Sequence, residues 1–372
     1  MCEDCAPGVM KHFGGLDDPR VVGRTRHKLF DILFITVAAV IADCDDWGMI
    51  LLWAREREPW LRRYCELPNG IPSRFTMSRL LRRLAPEAFH RAFAAWMKGI
   101  QEITNGDVVA IDGKTMRRSF DRAPDGKGTI HTVSAWLAKN RVVLGQRKVA
   151  DKSNEITAIP ELLRLLEIKG ALVTIDAMGC QKEIAVAIVE READYLLAVK
   201  DNQPTLAEDV KRTFEEAEKE SLAYTATLDD GHGRVEVREY YQCMDLSRLR
   251  TAKEWHGLRS LGKVVSYRCE IGGRSSVETR YYISSLEDGV ERMANGIRAH
   301  WGIENQLHYV LDVSFSEDRL RVRKENSPAN LGVIRHVANN YLAGATHLKC
   351  SIKKRRRLAA INTDVLQSIL KI

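Results

Sequence analysis

The hydrophobic pattern divides the chain into two regimes. From residue 16 to 100, apolar residues recur at helical intervals. Leu29 to Ala42 is almost wholly apolar and predicts a helix at the centre of a small bundle. Asp45 and Asp46 are placed to cap the next helix, which carries Trp47, Ile50, Leu51, Trp53 and Ala54. Leu67 to Pro72 has the composition of a turn, and Ser73 caps a helix with Met77, Leu80, Leu81 and Leu84 inward. Pro86 to Ile100 adds a helix with Phe89, Phe93 and Trp96 on its apolar side. Beyond Thr104-Asn105-Gly106 the pattern becomes one of buried strands. Val108 to Ile111 predicts a strand, and residues 129–137 and 141–149 a hairpin around Lys139-Asn140. A helix over 156–166, a strand at 171–177, a helix over 182–192 and a strand at 195–200 follow. From Tyr224 to Ser285, short alternating stretches predict an antiparallel insertion, and Glu291 to Leu311 returns to a helical period.

Composition narrows the class of protein. A chain of 372 residues that is 45% hydrophobic and 29% charged suits a globular protein of two or three domains. The formal charge of +7 leans toward nucleic acid without establishing it. The longest apolar run, Ile32 to Ala42, is too short to cross a bilayer, and the first residues show no signal-peptide core. Eight cysteines without a disulfide-like framework point to a reduced, cytoplasmic setting. Cys2 and Cys5 resemble half a zinc site with no matching pair and read as a disordered terminus.

The candidate chemistry lies in three acids. The strand ending at Ile111 is followed by Asp112, Gly113 and Lys114; the apolar run ending at Ile175 is followed by Asp176. Acids at strand ends lie on the rim of a sheet, where α/β proteins bind ligands. The element order predicts a mixed α/β sheet with its first three strands antiparallel and its next two parallel to the first. The first and fourth strands are then neighbours, and Asp112 and Asp176 lie side by side. Glu304, in the late helical segment, is the third acid, with Glu317 and Asp318 as competitors. Three carboxylates crowded together repel unless a cation joins them. Two divalent metals roughly 3.5–4 Å apart can neutralise the attacking and leaving oxygens of a phosphodiester displacement. Two Mg²⁺ ions are expected, with Mn²⁺ the alternative: Asp112 bridging, Asp176 sharing one, Glu304 holding the other. Read singly, an Asp-Gly pair is a turn, and Glu304 is a salt-bridge residue on a solvated helix. His300, Glu304 and His308 at helical spacing also read as a zinc site.

Basic residues supply the candidate DNA contacts. Arg74, Arg79, Arg82 and Arg83 follow a glycine-containing turn, as in a helix-turn-helix reader, or form a solvated face. Lys114 and Lys200 stand near the strand rim, and His232 and Arg234 in a turn between strands. Lys349, Lys353, Lys354, Arg355, Arg356 and Arg357 either neutralise phosphates or form a solvated tail.

Longer stretches carry a resemblance. Ile111-Asp112-Gly113-Lys114 with Arg117 and Ser119, Lys152-Ser153-Asn154-Glu155, and Thr174-Ile175-Asp176-Ala177 through Lys182 are three of them. Asp194-Tyr195 with Lys200 to Gln203, Gly231 to Arg234, and His300-Trp301-Gly302-Ile303-Glu304-Asn305 through Glu317-Asp318 complete the set. From about Phe13 to Leu342 the chain resembles bacterial insertion-sequence transposases of the ISAs1 type, the H-repeat-associated proteins, within the DDE transposases. The resemblance implies a ribonuclease-H-like catalytic domain, Mg²⁺, and cutting and joining of DNA at element ends. It assigns Asp112 and Asp176 the two aspartate positions and Glu304 the glutamate position. The expected division is a helical DNA-recognition domain at 1–104, a catalytic domain at 105–345 with its β insertion at about 223–286, and a basic segment at 346–372. Double-stranded DNA and a homodimer on that DNA are the expected partners. Where related IS4-like transposases carry Tyr, Arg and Lys on the final helix, this chain has Ile297, His300 and Leu311, so His300 or Arg298 is expected to clamp phosphate. After Pro72-Ser73 the family pattern His-Asp-Thr is replaced by Arg74-Phe75-Thr76. The competing functions are a decayed DNA-binding copy and a metal-dependent nuclease that never joins strands.

Overall fold

The computed structural model describes residues 8–21, 23–103, 105–117, 119, 129–149, 154–231, 233–270, 272–273, 275–287 and 289–372. The stretch 121–128, His232, and Lys152 and Ser153 of the matched motifs lie outside them. The N-terminal pattern folds as α1 (Gly8–Phe13), α2 (Leu29–Ile41), α3 (Trp47–Glu56), α4 (Glu58–Leu61), α5 (Arg74–Arg83) and α6 (Pro86–Ile100). α2 is buried from Asp31 to Ile41, as an all-round apolar helix must be. The Asp46 carboxylate caps α3, accepting from the Gly48 and Met49 amides at 2.8 and 3.0 Å. Ser73 caps α5 by accepting from the Thr76 amide at 3.2 Å. Each cap meets amides that the helix itself leaves unpaired.

The second regime forms one mixed sheet. β1 (Val108–Met116), β2 (Ile130–Leu137) and β3 (Val142–Lys148) run antiparallel. α7 (Glu155–Leu163) leads to β4 (Leu172–Ile175), and α8 (Lys182–Val189) to β5 (Asp194–Val199). β4 is parallel to β1, and β5 to β4. α9 (Pro204–Glu216) then precedes β6 (Ala223–Gly231), β7 (Arg234–Cys243), β8 (Ser260–Glu270) and β9 (Ser275–Ser284). These four strands form the expected antiparallel insertion, but not as a separate sheet. β9 pairs antiparallel with β5, so the order among the described residues is β3-β2-β1-β4-β5-β9-β8-β7-β6.

Side chains alternate between the two sheet faces. Val173 and Ile175 of β4 join the core on the side of α7 and α8, while Leu172 packs with Leu196, Met293 and Ile297 beneath α10 (Val290–Gly302). α10 runs on through a π-turn, Ile303–His308, into α11 (Tyr309–Ser314). Two glycines let α10 lie close to the sheet. A Cβ on Gly296 would come 2.7 Å from Leu172, and one on Gly302 would come 2.5 Å from the Trp136 ring of β2.

α12 (Ser327–Gly344) is buried almost throughout and packs against α2, α5, α6 and β3. It joins the helical part to the sheet. The basic C-terminal segment is neither a tail nor wholly solvated. It forms α13 (Ile352–Ile361) and α14 (Thr363–Leu370), which pack back on α2, and Gln367 accepts from Trp60 Nε1 at 3.1 Å. Among the described residues, no helix is long and apolar enough to cross a membrane.

Candidate active site

The parallel pairing of β1 with β4 sets Ile111 opposite Ile175, so the next residues, Asp112 and Asp176, stand on adjacent strands. Adjacent strands lie about 4.8 Å apart. Both positions share the alternation of Ala110 and Thr174, so both carboxylates are on the face that α10 covers. Glu304 comes from the π-turn that continues α10. All three acids line one pocket of about 320 Å³, together with Lys200, Arg280, Tyr282, His300 and Trp301.

The acids sit in different surroundings. Asp112 accepts from its neighbour Gly113 N–H at 2.8 Å, and His308 Nδ1 lies 3.5 Å from its other oxygen. Burial pushes the Asp112 carboxyl up to about 7; the Gly113 amide opposes this, and the charges of Asp176, Glu155 and Glu304 add to it. Asp176 accepts from the Gly179 amide at 3.4 Å across a short 3₁₀ turn. Its carboxyl is also raised, by burial and then by Glu155, with Lys200 acting in the opposite sense. Glu304 is exposed. None of the three forms an ion pair with Lys or Arg among the described residues. Among those residues, no three His, Cys, Asp or Glu side chains converge into a ready-made metal cage. The donor set nevertheless fits a hard divalent cation that keeps several waters and takes only a few carboxylate oxygens. The zinc reading of His300, Glu304 and His308 finds no such cluster. His300 Nδ1 instead lies 3.0 Å from the Thr174 hydroxyl, and His308 turns toward Asp112.

The other candidates are dispersed, and several are already engaged. Lys114 does not reach out as expected. Its side chain is 10% exposed, with Nζ 2.7 Å from Asp312 and 3.5 Å from Glu317 and Asp318. Glu317 also meets Arg335 at 3.1 Å. The two competitors for the third acid thus belong to this ion cluster and do not line the pocket. His300 is held neutral, since burial drops its pKa to about 4, so it cannot clamp phosphate as a cation near neutral pH. Arg298 is exposed and paired with Asp229 at 2.8 Å. Arg356 is fully buried; it donates to the Val40 carbonyl at 2.8 Å and to Asp45 at 2.6 Å, and stacks over Phe315. Arg356 is therefore not a DNA contact in this fold, because its five donors are spent inside. Arg355 donates to the Leu348 carbonyl at 3.0 Å. Arg74, Arg79 and Arg83 are exposed along α5, while Arg82 pairs with Glu325 at 2.6 Å. Lys200 is exposed on the pocket rim, and Arg234 is half-buried at the β6–β7 turn.

Two residues near the acids were missed in the sequence. Arg280 of β9 lies with its guanidinium 4.6 Å from the Trp301 ring and pairs with Glu278 at 2.8 Å. The alternation of Glu278, Arg280 and Tyr282 shows that they share a face, but only the β5–β9 pairing brings that face to the pocket. Glu155 at the start of α7 bonds to His131 Nε2, and a Cβ on Gly113 would collide with its carboxylate. It lies in a matched motif, which was the available signal.

Three carboxylates lining one pocket beside cationic and aromatic side chains match what metal-dependent phosphoryl transfer requires. Residues 104–340 match the family described as Transposase DDE domain, and residues 10–97 the family described as DDE_Tnp_1-associated. The chain belongs to the DDE transposase family: it is a transposase, an enzyme of DNA cleavage and transfer, in a family that generally uses divalent metal. It is 42% identical to YncI of Escherichia coli O157:H7 over 97% of this chain and 94% of that protein. It is 38% identical to the H repeat-associated YhhI of Escherichia coli K12 over 97% of each. Both are named as transposases. A protein from the dhlA 3′ region of Xanthobacter autotrophicus is 39% identical over 75% of this chain and 95% of its own length.

Proposed function

We propose that Asp112, Asp176 and Glu304 are the catalytic, metal-holding carboxylates of an ISAs1-type transposase with a ribonuclease-H-like catalytic domain. The observation that carries this is their common pocket, reached from the middle of β1, the end of β4 and one helix turn far apart in sequence. The strand order β3-β2-β1-β4-β5, antiparallel then parallel, supports the ribonuclease-H-like reading. Mg²⁺ held there would supply charge neutralisation at the attacking and leaving oxygens. Asp112 would be the ligand shared by the two ions, and Asp176 and Glu304 would each help to hold one of them. Lys200 and Arg280 border the pocket and meet phosphate oxygens; His300 is a neutral hydrogen-bonding group beside them.

In the first step a water oxygen bonds to the phosphorus at the element end, in line with the departing 3′ oxygen. That oxygen takes up a proton and leaves as a 3′-hydroxyl. In the second step this hydroxyl loses its proton, attacks a phosphodiester of target DNA and displaces the 3′ oxygen of the adjoining nucleotide. Residues 1–104 read the element end through Arg74, Arg79 and Arg83, residues 105–345 cut and join, and two copies act together on paired ends.

The test is cleavage of end-containing duplex with Mg²⁺ by the purified protein and by an Asp112→Ala, Asp176→Ala double variant. The double variant is expected to lose nicking while keeping DNA affinity. Equal nicking by both proteins would remove this assignment. Joined products mark a transposase, and shortened fragments alone mark a nuclease.

A further inference from the structure

A second large concavity lies on the other side of the Glu304 turn. This groove of about 1030 Å³ runs between the β2–β3 turn, α11 and the start of α13. No aspartate or glutamate lines it among the described residues, while Lys139, Arg141, Lys353 and Arg355 do. Lys139 pairs with Asp107, and Arg355 serves backbone carbonyls. Arg141 and Lys353 are exposed and have no ion-pair partner among the described residues. Tyr309 is 62% exposed at the groove, and Gln306 stands beside it.

Arg141 has a second peculiarity. Its φ is 58°, in the left-handed region that disfavours a residue with a Cβ. Glycine or asparagine is the ordinary occupant of such a turn position. An arginine there, exposed and lining a groove with no carboxylate among the described residues, is in place for an anion.

We propose that this groove binds the phosphate backbone of DNA, with Arg141 and Lys353 neutralising phosphates and Tyr309 covering a sugar or base face. The proposal rests on the reading of the acid pocket as the cutting site. Ile303 and Glu304 line that pocket, whereas Asn305, Gln306 and Tyr309 line the groove, so the two sites flank one helical turn. A helix is about 10–12 Å across. At ~3.4 Å of rise per nucleotide, the groove holds DNA roughly three nucleotides from the scissile phosphate.

The test measures binding of a random-sequence duplex by fluorescence anisotropy in EDTA, so that no cutting intervenes. Arg141→Glu with Lys353→Glu is compared with a reversal of equal charge elsewhere, Lys211→Glu with Arg259→Glu. The groove reversal is expected to weaken binding about tenfold or more beyond the control. It should also make the slope of log K against log salt shallower by about 1.8, for two lost phosphate contacts. Tyr309→Ala is expected to weaken binding with the slope unchanged. Arg141→Gly is expected to raise Tm while weakening binding; a turn residue with a purely structural role would show no loss of affinity. Should the reversal not fold, as judged by circular dichroism, Arg141→Gln with Lys353→Gln serves the same comparison. Binding equal to the control reversal overturns the proposal. Asp112→Ala separates the two readings: it is expected to bind fully and cut nothing, and if it cuts normally the acid assignment fails while the groove result stands.

Discussion

The run Lys353-Lys354-Arg355-Arg356-Arg357 reads as one charged patch, yet its members do different things. Lys353, Lys354 and Arg357 are exposed, Arg355 is half-buried, and Arg356 is at 0% exposure. The signal for this was present in the period. Ile352, Arg356 and Ala359 fall on one helical stripe, and that stripe faces the core. What could not be read was the partner, because Val40 and Asp45 lie more than three hundred residues earlier. Lys114 repeats the lesson: the motif shows a lysine beside an acid, but not that Asp312, Glu317 and Asp318 return to meet it. Removing one partner of a buried charged network leaves the others unpaired, at about 3–5 kcal/mol. Arg356→Ala is accordingly expected to destabilise the protein by about 3–5 kcal/mol in urea unfolding. The DNA affinity of the protein that remains folded should be unchanged. A loss of affinity at unaltered stability would instead return Arg356 to the DNA surface.

Among the elements, β1, β4 and β5 were legible because each contains a short apolar run, rich in β-branched residues in β1 and β4, although β1 continues past its run through Asp112 to Met116. Their order was legible too, since a strand, a helix and a second parallel strand connect with one handedness. The attachment of β9 to β5 was not, because pairing across the whole insertion leaves no local mark. The π-turn at Ile303–His308 was also hidden: one extra residue per turn changes no composition, and such turns recur at functional sites. The placement of Glu304 depends on the two glycines before it. Gly302→Ala would put a methyl 2.5 Å from Trp136, which is itself 2% exposed and cannot retreat. Overpacking of this kind costs about 1–3 kcal/mol. It would also lift the end of α10, and a shift of about 1 Å at a reacting centre costs roughly a hundredfold in rate. Gly302→Ala is thus expected to cut DNA far more slowly than its modest loss of Tm implies. Adding Trp136→Phe should restore part of the rate. If Gly302→Ala cleaves at the normal rate, α10 does not need this close contact to set Glu304.

At the scale of the molecule, the helical part and the sheet share a buried polar seam along α12. His90 of α6 and His336 of α12 are 1% and 4% exposed, and burial holds both imidazoles neutral with pKa values near about 3. Arg147 and His336 face His90, and Arg335 and Lys114 face His336; all four oppose a further proton. Nδ1 of each ring is buried without a partner among the described residues. Two histidines in helical patterns were visible in the sequence, but the seam needs the contact of α12 with α6 and β3. Its consequence is a dependence on acid. Unfolded histidine takes up protons below ~6.5, whereas the folded rings do so only near 3, so the unfolded state binds more protons in between and stability falls as pH drops through that window. At about pH 5.5 each ring removes on the order of 1 kcal/mol. Asp112 acts in the opposite sense over the same range, since its carboxyl is raised in the folded state. The informative quantity is therefore the difference between the protein and a His90→Gln, His336→Gln variant in Tm measured from pH 7.5 to 5.5. The variant is expected to start lower and to lose less on acidification. Parallel curves for the two proteins would mean that the seam admits the proton without cost, and that other groups set the acid limit of the fold.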